Sequence, residues 1–202
     1  MSTAPTPTPN PTARERAKAD RREVLLDAAA RLFAERGFDR VSLEDLGAAA
    51  GVSGPAVYRH FPGKQAVLGA LLVGVSENLC AGGADVVARV DDPHVALASL
   101  VAFHVDFALA NPDVIRVQDR DLDSLADDAR SLVRSLQREY IDTWVGVLAR
   151  VLPGVERTQL RIRARATFGL INSTPHSART SPRAAVRSLL ERMAHAALTT
   201  PA

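Results

Sequence analysis

"SLEDLGAAAGVSGPAVYRHF", Ser42–Phe61, is the stretch whose reading decides the fold. It predicts two short helices separated by a glycine. Ser42 can N-cap a helix that runs through Ala50, with Glu44 and Asp45 in the first turn, where the helix dipole favours negative charge. Gly51 stops that helix and tolerates the positive φ of a tight turn. Ser53 can N-cap the next helix, and Pro55 fits in its first turn. Leu46, Ala50, Val52 and Val57 are the inward residues, so the second helix buries little and leaves its other face bare. That is the pattern of a helix-turn-helix, and a bare face of this kind suits the major groove of DNA. Gly54, Pro55 and Ala56 let the helix start approach bases closely. Tyr58, Arg59 and His60 can reach bases or phosphates, and Lys64 can meet phosphate at the start of the following helix. With Ser42 and Ser53 at the two helix starts, these form the candidate DNA-binding set.

Working outward, the chain is helical on both sides. Arg14 to Gly37 carries one apolar stripe, Val24, Leu25, Ala28, Ala29, Leu32 and Phe33, with Gly37 placed as a C-terminal cap. Pro62-Gly63 breaks the chain after the motif. A longer helix is expected from Lys64 to about Cys80, where Gly82-Gly83 weakens it. Asp92-Pro93 starts another that stops at Asn111-Pro112; it is apolar nearly all round and is expected to be central and buried. Residues 113 to 128 read as a polar connection. From Asp127 to Leu152 the stripe is Leu132, Leu136, Tyr140, Trp144, Val147 and Val151. Two more helices are expected near 156–173 and 181–198. No segment alternates with period two, so the expected class is all-α.

Composition sets the outer bounds. The chain has 202 residues and a formal charge of only +2, so bulk charge does not announce a nucleic-acid binder. Residues 1–65 hold ten Lys/Arg and eight Asp/Glu, whereas 66–202 hold fifteen of each, which puts the whole surplus beside the motif. Arg14, Arg16, Lys18, Arg21 and Arg22 form a basic arm there. Residues 1–13 are rich in proline, serine and threonine and are expected to be a disordered tail. The lone cysteine, Cys80, excludes an internal disulfide framework and suits a reducing cytosol. The apolar run Ala66–Val75 is short of the roughly 18 residues of a membrane span, and a cytoplasmic protein with no membrane partner is expected.

The stretch from Arg14 to about Leu72 resembles the TetR family of transcriptional regulators. "AGVS", "VYRHF" and "PGKQAVL" fall where that family has its turn, its recognition helix and the start of its fourth helix. Gly47 departs from the usual alanine. The resemblance implies a DNA-binding domain over 14–65 and a helical effector-binding and dimerisation domain over 66–202. It further implies a homodimer through 156–173 and 181–198 on a pseudo-palindromic operator, with a fourth-helix lever that couples effector to DNA. Leu160, Ala164, Phe168 and Ile171 on one helix, and Val186, Leu189, Leu190, Met193, Ala197 and Leu198 on the other, are the expected dimer faces.

Polar and aromatic groups inside apolar helices are the effector-site candidates: Phe103, His104, Phe107, Gln118, Tyr140, Trp144, Phe168 and Asn172. With so few polar groups among Leu, Val, Ala and Phe, the expected effector is apolar or amphipathic. Arg116 and Arg120 are placed to reach a charged head group. Enzymatic chemistry finds no support. The sequence has no G-x-S-x-G, no G-x-x-x-x-G-K-[ST] and no H-E-x-x-H, and its histidines share no metal-ligand spacing. Neither a cofactor nor a metal is expected. A DNA-binding protein without any ligand is the remaining alternative.

Overall fold

Local capping explains the first helices. The computed structural model describes residues 12–177 and 181–201, so the expected tail over 1–11 lies outside the described residues. Thr12 and Ala13 do not belong to a tail. Thr12 caps α1 (Ala13–Arg36) in a reciprocal capping box: its hydroxyl accepts from the Glu15 amide, and the Glu15 carboxylate accepts from the Thr12 amide at 2.7 Å. A single 3₁₀ turn, Phe38–Arg40, leads to α2 (Leu43–Ala49). Ser42 and Asp45 cap α2 the same way, with the Asp45 amide donating to Ser42 Oγ at 3.0 Å. Gly51 takes φ +66°, as the turn requires. α3 (Gly54–Tyr58) follows with Pro55 in its first turn, but the Ser53 hydroxyl makes no capping bond. Gly47 does not loosen α2. It is buried, and a Cβ there would meet the Val52 carbonyl oxygen at 3.0 Å and Val57 at 3.1 Å. The missing methyl is what lets α3 sit close on α2.

α4 spans Lys64–Ala88 and runs straight through Gly82-Gly83, where the sequence predicted weakening. The reason is tertiary. A Cβ on Gly82 would run into the ring of Phe103, and one on Gly83 into the ring of Tyr140. The glycines therefore receive neighbouring helices instead of ending their own. α5 (Pro93–Ala110) is N-capped by Asp92, which accepts from the amides of His94 and Val95. It is not buried all round: Val95 stays 52% exposed. Both α4 and α5 are long and apolar enough to span a membrane by length and composition. Their apolar faces pack against α1, α7, α8 and α10.

The expected polar connection is a helix, α6 (Pro112–Asp121), with Val114, Ile115 and Val117 turned inward, followed by a 3₁₀ turn, Leu122–Ser124. Asp113 and Asp119 stay off the core, and the aspartates of this stretch disguise the apolar stripe. α7 (Asp127–Val151) packs along α4, and its first turns bury Val133 and leave Leu132 exposed, one position off the expected stripe. α8 (Arg157–Asn172), the short α9 (Thr174–Ser177) and α10 (Arg183–Thr199) complete the chain. Every regular element among the described residues is helical.

Two buried clusters result. The first joins α1, α2, α3 and the first half of α4, and it also takes in Val114, Val117, Leu125 and Val133. The second lies among α5, α7, α8 and α10. The boundary drawn at residue 65 thus falls in the first turn of α4, and α4 and α6 contribute to both sides of it.

Candidate functional site

The helix-turn-helix presents a cationic face. Tyr58 and Arg59 are exposed at the end of α3, and Ser42, Ser53 and Pro55 are exposed beside them. Arg14, Lys18 and Arg21 of α1 line one groove together with Ser53, Ala56, Arg59 and His60. No ion pair joins Lys18, Arg21 or Arg59 to another described residue. His60 sits at the floor of this groove, and its Nδ1 is buried without a hydrogen-bond partner. Burial first, then the charges of Lys18, Arg59, Arg21 and Arg22, push its pKa below the ordinary histidine value. Arg22 lies 4.9 Å over the Phe61 ring. Lys64 is placed differently from the sequence expectation. Its ammonium donates to the carbonyls of Phe38 at 2.8 Å and Asp39 at 3.2 Å and sits over the Phe38 ring. It ties the start of α4 to the 3₁₀ turn.

The second feature is a cavity of about 250 Å³ among α4, α5, α6, α7 and α8. Of the candidate effector-site residues, His104, Phe107, Gln118, Tyr140, Phe168 and Asn172 line it. Phe103 does not, because its ring turns toward Gly82. Trp144 is fully buried behind the wall, edge-on to Phe168 at 5.0 Å between ring centroids. Burial pushes the His104 pKa down to about 4, with Asn172 partly opposing this. Burial also raises the Tyr140 pKa, so both rings are uncharged near neutral pH. Arg116 and Arg120 do not reach a head group. Arg116 binds Asp113 and the Pro175 carbonyl, each at 2.9 Å. Ala102, a neighbour of His104 in sequence, is not part of the lining.

Comparison with known proteins matches this arrangement. The sequence profile of bacterial regulatory proteins of the tetR family matches residues 25–71. The HTH-type transcriptional repressor KstR2 of Rhodococcus jostii is 30% identical over 153 residues, which cover 75% of each chain. The chain belongs to the TetR family. A TetR-family regulator from Bordetella parapertussis superposes with TM-score 0.79 at 25% identity, over 88% of this chain and 94% of that one. KstR2 of Mycobacterium tuberculosis gives TM-score 0.75 at 22% identity, over 88% and 93%. The function is that of a DNA-binding transcriptional regulator.

In this TetR-family chain, sequence reasoning missed Ser76 and Arg165 and gave Arg120 the wrong role. Ser76 of α4 lines the cavity and donates to the Leu72 carbonyl at 2.7 Å; the polar run Ser76-Glu77-Asn78 in an otherwise apolar helix was a usable signal. Arg165 of α8 lines the cavity and is exposed; nothing local marks it among the other arginines of that helix. Arg120 donates to the carbonyls of Phe33 and Ala34 at the end of α1 and pairs with the buried carboxylate of Asp121. It thereby fastens α6, a cavity wall, to the first helix of the DNA-binding part.

The expected dimer faces also need correcting. Leu160, Ala164, Ile171, Leu190 and Leu198 are buried in the chain's own core, and Phe168 belongs to the cavity. Ile162, Leu189 and Met193 remain 62%, 50% and 45% exposed. Each helix carries two apolar stripes, and the stronger one serves its own core.

Proposed function

We propose that this TetR-family regulator is a cytoplasmic, homodimeric repressor whose 14–65 segment holds a two-fold operator. An apolar or amphipathic small molecule entering the cavity of the 66–202 segment releases it. The observation that carries this reading is that one pair of elements serves both the cavity and the DNA face. Val114, Ile115 and Gln118 place α6 on the cavity wall. Arg120, two residues further on, grips the end of α1. α4 lines the cavity with Ser76 and Leu79 and begins just after α3. A ligand that favours a different α6 position therefore shifts the spacing of the recognition helices without touching DNA.

Other observations support the parts. The Rhodococcus relative is a repressor. The cavity walls are mostly hydrocarbon, and the nearest arginines of α6 are occupied elsewhere. The exposed Ile162, Leu189 and Met193 give α8 and α10 an outer face for a second copy, and two half-sites about 34 Å apart need a two-fold protein. Tyr58, Arg59, His60, Ser42, Ser53 and the α3 start form the operator contact; Lys64 supports it from behind.

The test is a fluorescence-polarisation titration on the labelled operator. Apolar compounds should release the wild-type protein, and small polar metabolites should not. Arg120→Gln should still bind such a compound by calorimetry but lose up to about tenfold of its effect on DNA affinity. Release by polar metabolites alone would overturn the reading.

A further inference from the structure

One end of the cavity has a directional polar chain. His104 is 3% exposed and lines the cavity with Asn172; His104 Nε2 and Asn172 Oδ1 are both buried without a hydrogen-bond partner. The two residues face the same cavity, and Asn172 partly opposes the fall in the histidine's pKa. On the other side of the ring, Tyr140 Oη lies 3.4 Å from His104 Nδ1. The Trp144 ring stands edge-on to Tyr140, 6.2 Å between centroids. With the phenol hydrogen directed at Nδ1, that nitrogen is the acceptor. A neutral imidazole whose Nδ1 accepts carries its proton on Nε2. The chain therefore ends in a donor, His104 Nε2–H, beside an acceptor, Asn172 Oδ1. Flat rings cover the pair: Phe168 stacks on His104 at 4.7 Å and on Tyr140 at 5.5 Å.

We propose that this end of the cavity takes the hydroxyl of an uncharged ring compound. Its oxygen accepts from His104 Nε2–H, its hydrogen goes to Asn172 Oδ1, and its ring packs among Phe168, Tyr140 and Phe107. The inference rests on the reading of the cavity as the effector site and narrows the class of effector. A methyl group in place of the hydroxyl leaves both polar atoms unpaired, and a ketone leaves Asn172 unpaired. A carboxylate would set its charge against the Asn172 carbonyl oxygen with a neutral imidazole alongside. The cation of the lining, Arg165, is solvent-exposed one turn before Phe168.

Calorimetric titration of the full chain with three probes of one shape tests this: 2-naphthol, 2-methylnaphthalene and 2-naphthoate. The naphthol should bind at least about tenfold more tightly than the methyl compound, with the naphthoate weakest. Asn172→Leu should reduce that preference, leaving only the His104 bond, and keep the binding of 2-methylnaphthalene. Phe168→Ala, which opens the stack and leaves the polar pair, should keep the preference. Binding of 2-methylnaphthalene or 2-naphthoate as tight as that of the naphthol overturns the hydroxyl assignment and leaves an apolar cavity standing. Failure of all three to bind, in the wild type and in the roomier Phe168→Ala variant, overturns the effector-site reading as well.

Discussion

His60 and His104 both titrate below an ordinary histidine, and they do so in opposite surroundings. His60 lies among cations in a groove open to solvent, with Lys18, Arg21, Arg22 and Arg59 around it. His104 is enclosed by Phe107, Tyr140, Trp144 and Phe168, and burial alone accounts for the fall. The DNA face concentrates charge that water still reaches, so its energy waits for a polyanion. Around His104 the cavity concentrates polarity without charge, which suits the neutral effector proposed above. One chain thus keeps solvent near one histidine and away from the other.

The largest expected effect separates the two on stability. The folded His104 pKa of about 4 lies below the unfolded value of about 6.5, so the unfolded state takes up the proton first as pH falls. Stability from this group is intact above pH 6.5 and is lost between 6.5 and 4. The loss should reach about 2 kcal/mol by pH 5 and about 3 kcal/mol at saturation. Urea midpoints at pH 7.5 and 5, at one fixed protein concentration, measure it. His104→Leu should flatten the difference, and an unchanged pH dependence would show the ring to be solvated after all.

The next effect lies within the DNA face. Arg59→Ala should weaken operator binding about tenfold and make its dependence on salt shallower by about one unit of slope. Lys64→Ala should first lower the melting temperature, because it removes two bonds to backbone carbonyls worth about 1 kcal/mol each or more. Its salt slope should match the wild type. A slope that drops by one in Lys64→Ala as well would mean that the ammonium leaves Phe38 for a phosphate in the complex, and the contrast between the two cations would fail.

These contrasts follow what was legible in the chain. The helix-turn-helix could be read because its signals are local: Ser42 caps three residues ahead, Gly51 turns in place, and Val57 packs on a helix that ends eight residues earlier. His104 and Asn172 could be read because a polar residue in an apolar helix needs a reason. The extent of α4 could not, since Gly82 and Gly83 are explained by Phe103 and Tyr140, rings that arrive from other helices. Arg120 was singled out for the wrong role, because its acceptors are the carbonyls of Phe33 and Ala34, far back in the chain. α6 was hidden for another reason: the aspartates spread over 113–128 made the segment read as polar, while three aliphatic residues decide the helix's burial.

The smallest effect probes His60 itself. In the free protein, burial and neighbouring cations disfavour its charged form. A DNA phosphate brought to the groove would offset those cations and raise the pKa, so binding would take up a proton. By linkage, operator affinity should then rise as pH falls from 8 to 6. One full proton corresponds to about tenfold per pH unit, and screening at physiological salt should reduce this to about two- to threefold. The slope should flatten in His60→Gln, which keeps a hydrogen-bonding side chain but cannot titrate. Arg59→Ala should reduce it less, since that variant removes one of the cations holding the pKa down and leaves the imidazole in place. Polarisation titrations at constant ionic strength read both. A flat profile in the wild type would place the imidazole away from phosphate, leaving Lys18, Arg21 and Arg59 as the groove's contribution to the operator.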